Sequence, residues 1–240
     1  MEVVLGGLAG MVPCLMFGAF AAIIVVAIVY GIIKARERRE AMAQLAARLG
    51  LQYYADDPWG IPSRYAQFDL FNAGHSRRAS NVLAGEVEGR SVLAFDYRYT
   101  TGSGKNQTTH HRQGAILQMP IAAAKLQMRP ESVLDRVASW VGYDDIDFES
   151  DEFSRRYYVK CEDRKFAYDI LHARLIDYLL RCGTAPAMEM LGPLVLLHDT
   201  GQGNAENLNR LLMIGQTVIQ MIPDYVLSER GAAAPPGGRR

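Results

Sequence analysis

Residue types able to do chemistry gather at a few places in this 240-residue chain, and each place falls short of a working site. Thr101-Gly-Ser-Gly-Lys105 has the end of a phosphate-binding loop, where backbone amides cradle phosphate and a lysine meets its charge. That chemistry needs glycine five positions before Gly104, where Tyr99 stands, and Ser or Thr after the lysine, where Asn106 stands. Gly201-Gln-Gly203 follows an apolar run and precedes a helical pattern, as a dinucleotide-binding turn does. The third glycine position holds Glu206, whose charge would repel a pyrophosphate. His198-Asp199 is the dipeptide of metal phosphohydrolases, without their other ligands. His110 and His111 are neighbours in an extended stretch, so their rings point to opposite faces and chelate poorly together. His75 and His172 have no ligand partners in sequence. No G-x-S-x-G elbow, H-E-x-x-H or kinase set is present. Asn106-Gln-Thr108 matches a glycosylation sequon.

The cysteines add nothing catalytic. Cys14, Cys161 and Cys182 have neither C-x-x-C nor zinc spacing. Cys161 and Cys182 read as free thiols used in packing. Residues 144–152 carry six acids in nine positions, without the spacing or the central glycine of a calcium loop. The residues predict no catalytic, cofactor or metal site and leave the chain's chemistry open.

The elements that must position these residues read as follows. Residues 35–49 are strong helix formers with Met42, Leu45 and Leu49 on one face, and Gly50 is placed to end that helix. Residues 51–54 form a strand, and residues 57–62, with two prolines and a glycine, form a loop. Residues 81–88, 91–99 and 108–119 alternate as an antiparallel meander, turning at Gly89-Arg90 and through a long tip at 100–107. A helix is predicted over 132–141, short strands over 146–149 and 156–161, and one long amphipathic helix over 164–181 stopped by Gly183. Strand pieces at 188–191 and 194–197 precede a last helix over 205–222, capped by Asn204 or Asp199 and ended by Pro223. Strands joined in hairpins, with helices between the groups, predict an α+β fold.

Ahead of this lies an apolar run. No charged side chain occurs between Glu2 and Lys34, and residues 15–33 are apolar throughout. Nineteen helical residues reach roughly 28 Å, about the thickness of a bilayer's hydrocarbon core. The run lacks the basic start and small-residue cleavage site of a signal peptide. Lys34, Arg36, Arg38 and Arg39 follow it directly, which predicts an outside N-terminus and a cytoplasmic remainder. Beyond residue 33, 26 basic side chains stand against 25 acidic ones. A near-neutral domain has no electrostatic footprint for nucleic acid.

Residues 146–180 contain Phe148-Glu149-Ser150, then Glu152-Phe153-Ser154-Arg155-Arg156-Tyr157-Tyr158-Val159, then Asp163-Arg164-Lys165-Phe166-Ala167. This succession resembles a segment of uncharacterised bacterial membrane-anchored proteins, with the pattern F-E-S, E-F-x-R-x-[FY]-x-V, D-R-[RK]-F-A. The resemblance implies one N-terminal span and a cytoplasmic α+β domain, and carries over no catalytic residues.

The expected organisation is a flank and membrane helix over 1–33, a juxtamembrane helix over 34–50, a cytoplasmic α+β domain over 51–228 and a disordered tail over 229–240. The expected role is a single-pass, non-enzymatic module of the inner or plasma membrane, in contact with lipid. It would mediate a protein–protein interaction or self-association, through the Trp59 loop or the 102–107 tip. A membrane-anchored hydrolase or transferase with an unrecognised site is the alternative.

Overall fold

The computed structural model describes residues 2–130, 146, 148, 150–183, 186–201 and 204–231, with residues 2–19 and 21 described by their backbone alone. The chain divides into two compact units, residues 1–41 and 42–240. Helix α1 (Glu2–Leu49) takes in the whole apolar run and continues through the basic stretch. Among the described residues, no single helix is long and apolar enough to cross a membrane.

In the second unit, α1 ends as its sequence dictates. Gly50 takes a left-handed φ of 70°, and the N–H groups of Leu51 and Gly50 return to the carbonyls of Ala46 and Ala47. This is the Schellman arrangement, which satisfies carbonyls the last turn would leave open. Six strands then form one antiparallel sheet: β1 (Gln52–Asp56), β2 (His75–Val87), β3 (Arg90–Thr101), β4 (Thr108–Pro130), β5 (Tyr157–Cys161) and β6 (Ala187–Thr200). The first four pair in chain order, so the meander and the α+β class are as the sequence predicts. The 23-residue β4 is the spine. Its first half pairs with β3 and its last residues with β5, while β6 runs along it from Arg112 to Met128.

The helices are α2 (Ile61–Arg64), α3 (Asp151–Arg156), α4 (Arg164–Ile170), α5 (Ala173–Arg181), α6 (Ala205–Gln220) and α7 (Asp224–Arg230). One sheet face carries the larger core. Met42, Leu45, Phe153, Phe166, Leu175 and the inward stripe of α6 pack there on Ala115, Leu117, Met190 and Leu197. Gly215 lets α6 lie close to the sheet, since a Cβ there would come within 2.7 Å of Leu117. The opposite face has a smaller core. Ile61, Phe68, Leu70 and Phe71, from the segment between β1 and β2, cover Phe95, Tyr97, Ile116 and Leu196.

Several expectations need correction. The long helix over 164–181 is two helices, because His172 turns extended and caps α5 with its own ring nitrogen. The predicted strand start at Arg156 belongs instead to α3, a short helix nucleated by the Ser150 hydroxyl accepting from the Phe153 N–H. The first hairpin turns at Glu88-Gly89, both at positive φ as a two-residue type I′ turn requires, which moves the pairing to Val87 opposite Arg90. The two strand pieces after residue 187 are one strand with a register irregularity around Gly192. The 205–222 helix ends at Gln220, and after Pro223 the chain forms α7 and reaches Gly231, which bridges Ile121. The helix predicted over 132–141 lies outside the described residues, as do residues 147 and 149 of the strand predicted over 146–149 and residues 232–240. Ile146 and Phe148, the described half of that segment, are in no strand.

Candidate functional site

Alternation along the central strands decides which side chains meet on the smaller-core face. Leu126 and Met128 of β4 join the larger core, as do Met188 and Met190 of β6 and Val159 and Cys161 of β5. Their neighbours Gln127, Arg129, Glu189, Tyr158 and Lys160 therefore emerge on the other face. With Arg112, Tyr99, His198 and the edge of the 57–74 segment, they line a cleft of about 560 Å³.

Glu189 organises this cleft. It sits in the apolar run Ala187–Leu191, is only 6% exposed, and its two oxygens accept the backbone N–H groups of Asp69 (2.7 Å) and Leu70 (3.1 Å). Those groups open the 3-10 turn Asp69–Asn72, whose own N-cap residue, Phe68, supplies no side-chain acceptor. A buried carboxylate stapling two otherwise open donors is stable where an unpaired one is not. Asp69 is held in turn by Lys125 (3.1 Å) and by Gln127. Both acids at the cleft thus spend their charge on the protein itself. His198 Nε2 lies 3.7 Å from Glu189 Oε1, beyond hydrogen-bond reach. Among the described residues the lining has no Ser, Thr or Cys to act as a nucleophile. What remains for chemistry is cationic and aromatic: Arg112, the Arg129 guanidinium 5.1 Å from the Tyr158 ring, and Tyr99 stacked on His110 at 4.8 Å.

The other face carries a polar relay that sequence reasoning missed. Tyr53 donates to Asn81, Asn81 to Asp96, and Gln113 to Asp96 and to the Asn204 carbonyl. Asn207 donates to Gln113, and Arg210 links Asn207 to Asp199. Gln113 is 1% exposed and every part of its amide is used. This chain of bonds ties β1 through the sheet to α6.

The structure disperses the residues that the sequence singled out. Gly102 and Lys105 lie at an exposed β3–β4 tip that opens no α-helix, and His75 Nε2 bonds the Gly102 carbonyl at 3.0 Å. Gly201 follows β6, and Gln202 and Gly203 lie outside the described residues. His110 bonds Thr101, and His172 reaches the Met221 carbonyl. Among the described residues no three His, Cys, Asp or Glu side chains converge as metal ligands. Cys161 and Cys182 are free thiols, and burial raises the Cys161 pKa. Trp59 is 37% exposed and meets Tyr54 edge-on at 4.9 Å. Asp57 holds its loop by accepting the Trp59 and Ile61 N–H groups.

No family model matches this chain, and no curated protein sequence matches it. One solved structure is similar: the mycobacterial trehalose monomycolate transport factor A, TtfA, at a TM-score of 0.54 and 12% identity. The match covers 78% of this chain and 97% of that one. The two proteins share a fold.

Proposed function

We propose that this chain is a single-pass, membrane-tethered module whose α+β unit binds a protein partner and carries out no turnover of its own. The observation that carries the reading is the exposure of α1. Phe20, Ile23, Ile24, Val25, Val26, Ile28, Val29, Ile32 and Ile33 are all exposed. Successive residues of a helix differ by about 100°, so this set is apolar on every side, as in a segment surrounded by lipid. The uncharged run from residue 15 supports the span, and Lys34, Arg36, Arg38 and Arg39 support a cytoplasmic α+β unit. Commitment of Glu189 to two backbone donors supports a non-catalytic cleft. The described role of the fold neighbour, a transport factor, is in line with an accessory part. On the partner side, Trp59 is the exposed aromatic on a loop fixed by Asp57, the kind of residue that dominates interface energies.

Fractionation and site-specific cross-linking test this. The full chain should stay with the membrane pellet after carbonate washing, and a reporter fused after Arg240 should be active only inside the cell. A photo-reactive residue at Trp59 should yield one discrete adduct, absent when placed at exposed Met213. Recovery in the supernatant defeats the tether, and only unadducted monomer defeats the partner.

A further inference from the structure

The cleft on the smaller-core face contains an imbalance. Its acids are accounted for within the protein, Glu189 by the Asp69 and Leu70 amides and Asp69 by Lys125 and Gln127. Arg129 and Lys160 stand toward β5 and have interactions of their own. Arg112 does not. It lines the cleft on β4, half-buried, and among the described residues its guanidinium has neither hydrogen bond nor ion pair. Its strand neighbours are Tyr97 of β3 and Thr200 of β6, and His198 is two pairs along, opposite Gly114. A half-buried cation without a counter-ion is costly, and a carboxylate offers a guanidinium two parallel hydrogen bonds.

We propose that this cleft binds a small carboxylate-bearing molecule with an apolar body, the carboxylate meeting Arg112 and the body lying along Leu70, Ala73, Tyr99 and Ala187. A volume of about 560 Å³ suits a small organic ligand. One unpaired guanidinium matches one carboxylate, and a more highly charged phosphate would need further donors that are already engaged. The walls are rigid where the ligand would sit. β4 and β6 are paired across it, and the 57–74 segment is pinned by Glu189, so the site needs little ordering on binding. This inference stands apart from the tether and from Trp59.

The test uses the full chain in phosphatidylcholine nanodiscs, with 2-naphthoate and its uncharged analogue 2-naphthamide titrated by saturation-transfer NMR against empty discs. Naphthoate should bind saturably and naphthamide at least tenfold more weakly. Arg112→Gln should weaken naphthoate tenfold or more and leave naphthamide unchanged, with Arg112→Lys between. Because the Arg112 guanidinium makes no internal bond among the described residues and its burial is uncompensated, Arg112→Gln should melt at or above the wild-type temperature. Ala187→Leu, which narrows the cleft and keeps the charge, should weaken both ligands. Equal binding of acid and amide, no saturable binding of either, or an Arg112→Gln protein that binds naphthoate as wild type does would each overturn the proposal.

Discussion

Glu189 Oε2 accepts the backbone N–H of Asp69 at 2.7 Å, joining two residues 120 positions apart. The covering segment over residues 57–74 has short helical turns but no long amphipathic element of its own, so this bond and its companion to Leu70 fix where it lies. Hydrogen bonds to a charged acceptor contribute about 1.5–3 kcal/mol, and a buried donor left open costs about 1–3 kcal/mol. Glu189→Gln should therefore destabilise the α+β unit by about 2 kcal/mol and Glu189→Ala by more. Amide hydrogen exchange localises the effect: the Asp69 and Leu70 amides should exchange faster in Glu189→Gln, ahead of those of β4. Uniform acceleration across the sheet would assign Glu189 a different role.

Gln113 is placed to make a sharper test by charge alone. Its Nε2 donates to Asp96 Oδ1 at 3.0 Å and its Oε1 accepts from Asn207 at 2.9 Å. Gln113→Glu preserves shape but sets a second carboxylate against Asp96, and like charges at that distance raise a pKa. The introduced acid's folded-state pKa then lies above its unfolded value of about 4.3. Its cost is absent below that pH, sets in as pH rises through it, and is complete above the raised folded value. Melting temperature should match wild type near pH 4 and fall below it by pH 7. A pH-independent difference would show that Asp96 is not what Gln113 serves.

The hairpins were legible because alternating side chains and a glycine turn are local signals. The pattern over 164–181 was misleading because its apolar spacing continues through Leu171. The break there comes from His172, whose ring caps α5 and reaches the Met221 carbonyl, a tertiary contact with no local trace. The covering segment was illegible because Phe68 and Phe71 owe their burial to Phe95 and Tyr97, on a strand some 25 residues away. The cleft assembles residues near 70, 112, 158 and 189, which no spacing rule connects. One clue was present: Glu189 is the charge inside the otherwise apolar run 187–191, and such a residue needs a buried partner.

Asp163 gives the wild type an acid-sensitive joint. Its carboxylate accepts the Phe166 N–H at the start of α4 and pairs with Arg230 of α7. The Phe166 bond, aided by Arg230, holds its pKa below the ordinary aspartate value. A depressed folded-state pKa means stability that is present above the unfolded value and is lost as pH falls through the folded one. Between pH 6 and pH 3 the wild type should lose more melting temperature than Asp163→Asn. The asparagine keeps a capping oxygen and lacks the titrating charge. Parallel curves would exclude this joint as a source of acid lability.

Tyr97 carries the opposite kind of expectation, a substitution that improves the fold. The residue is 2% exposed, and its ring packs against Phe71 at 5.2 Å and Tyr99 at 5.8 Å. Its buried hydroxyl has no hydrogen-bond partner among the described residues. Removing an unsatisfied polar atom while keeping the ring loses no bond and relieves a desolvation cost, so Tyr97→Phe should stabilise the unit by about 1 kcal/mol. Burial also pushes the Tyr97 pKa up to about 12 from 10.0. The unfolded chain then releases the phenolic proton first, so wild-type stability should decline as pH rises from 10 toward 12. Tyr97→Phe should show a shallower decline. Thermal melts at pH 7 and pH 10.5 check both parts, and a lower melting temperature for Tyr97→Phe at pH 7 would mean that the hydroxyl is bonded after all.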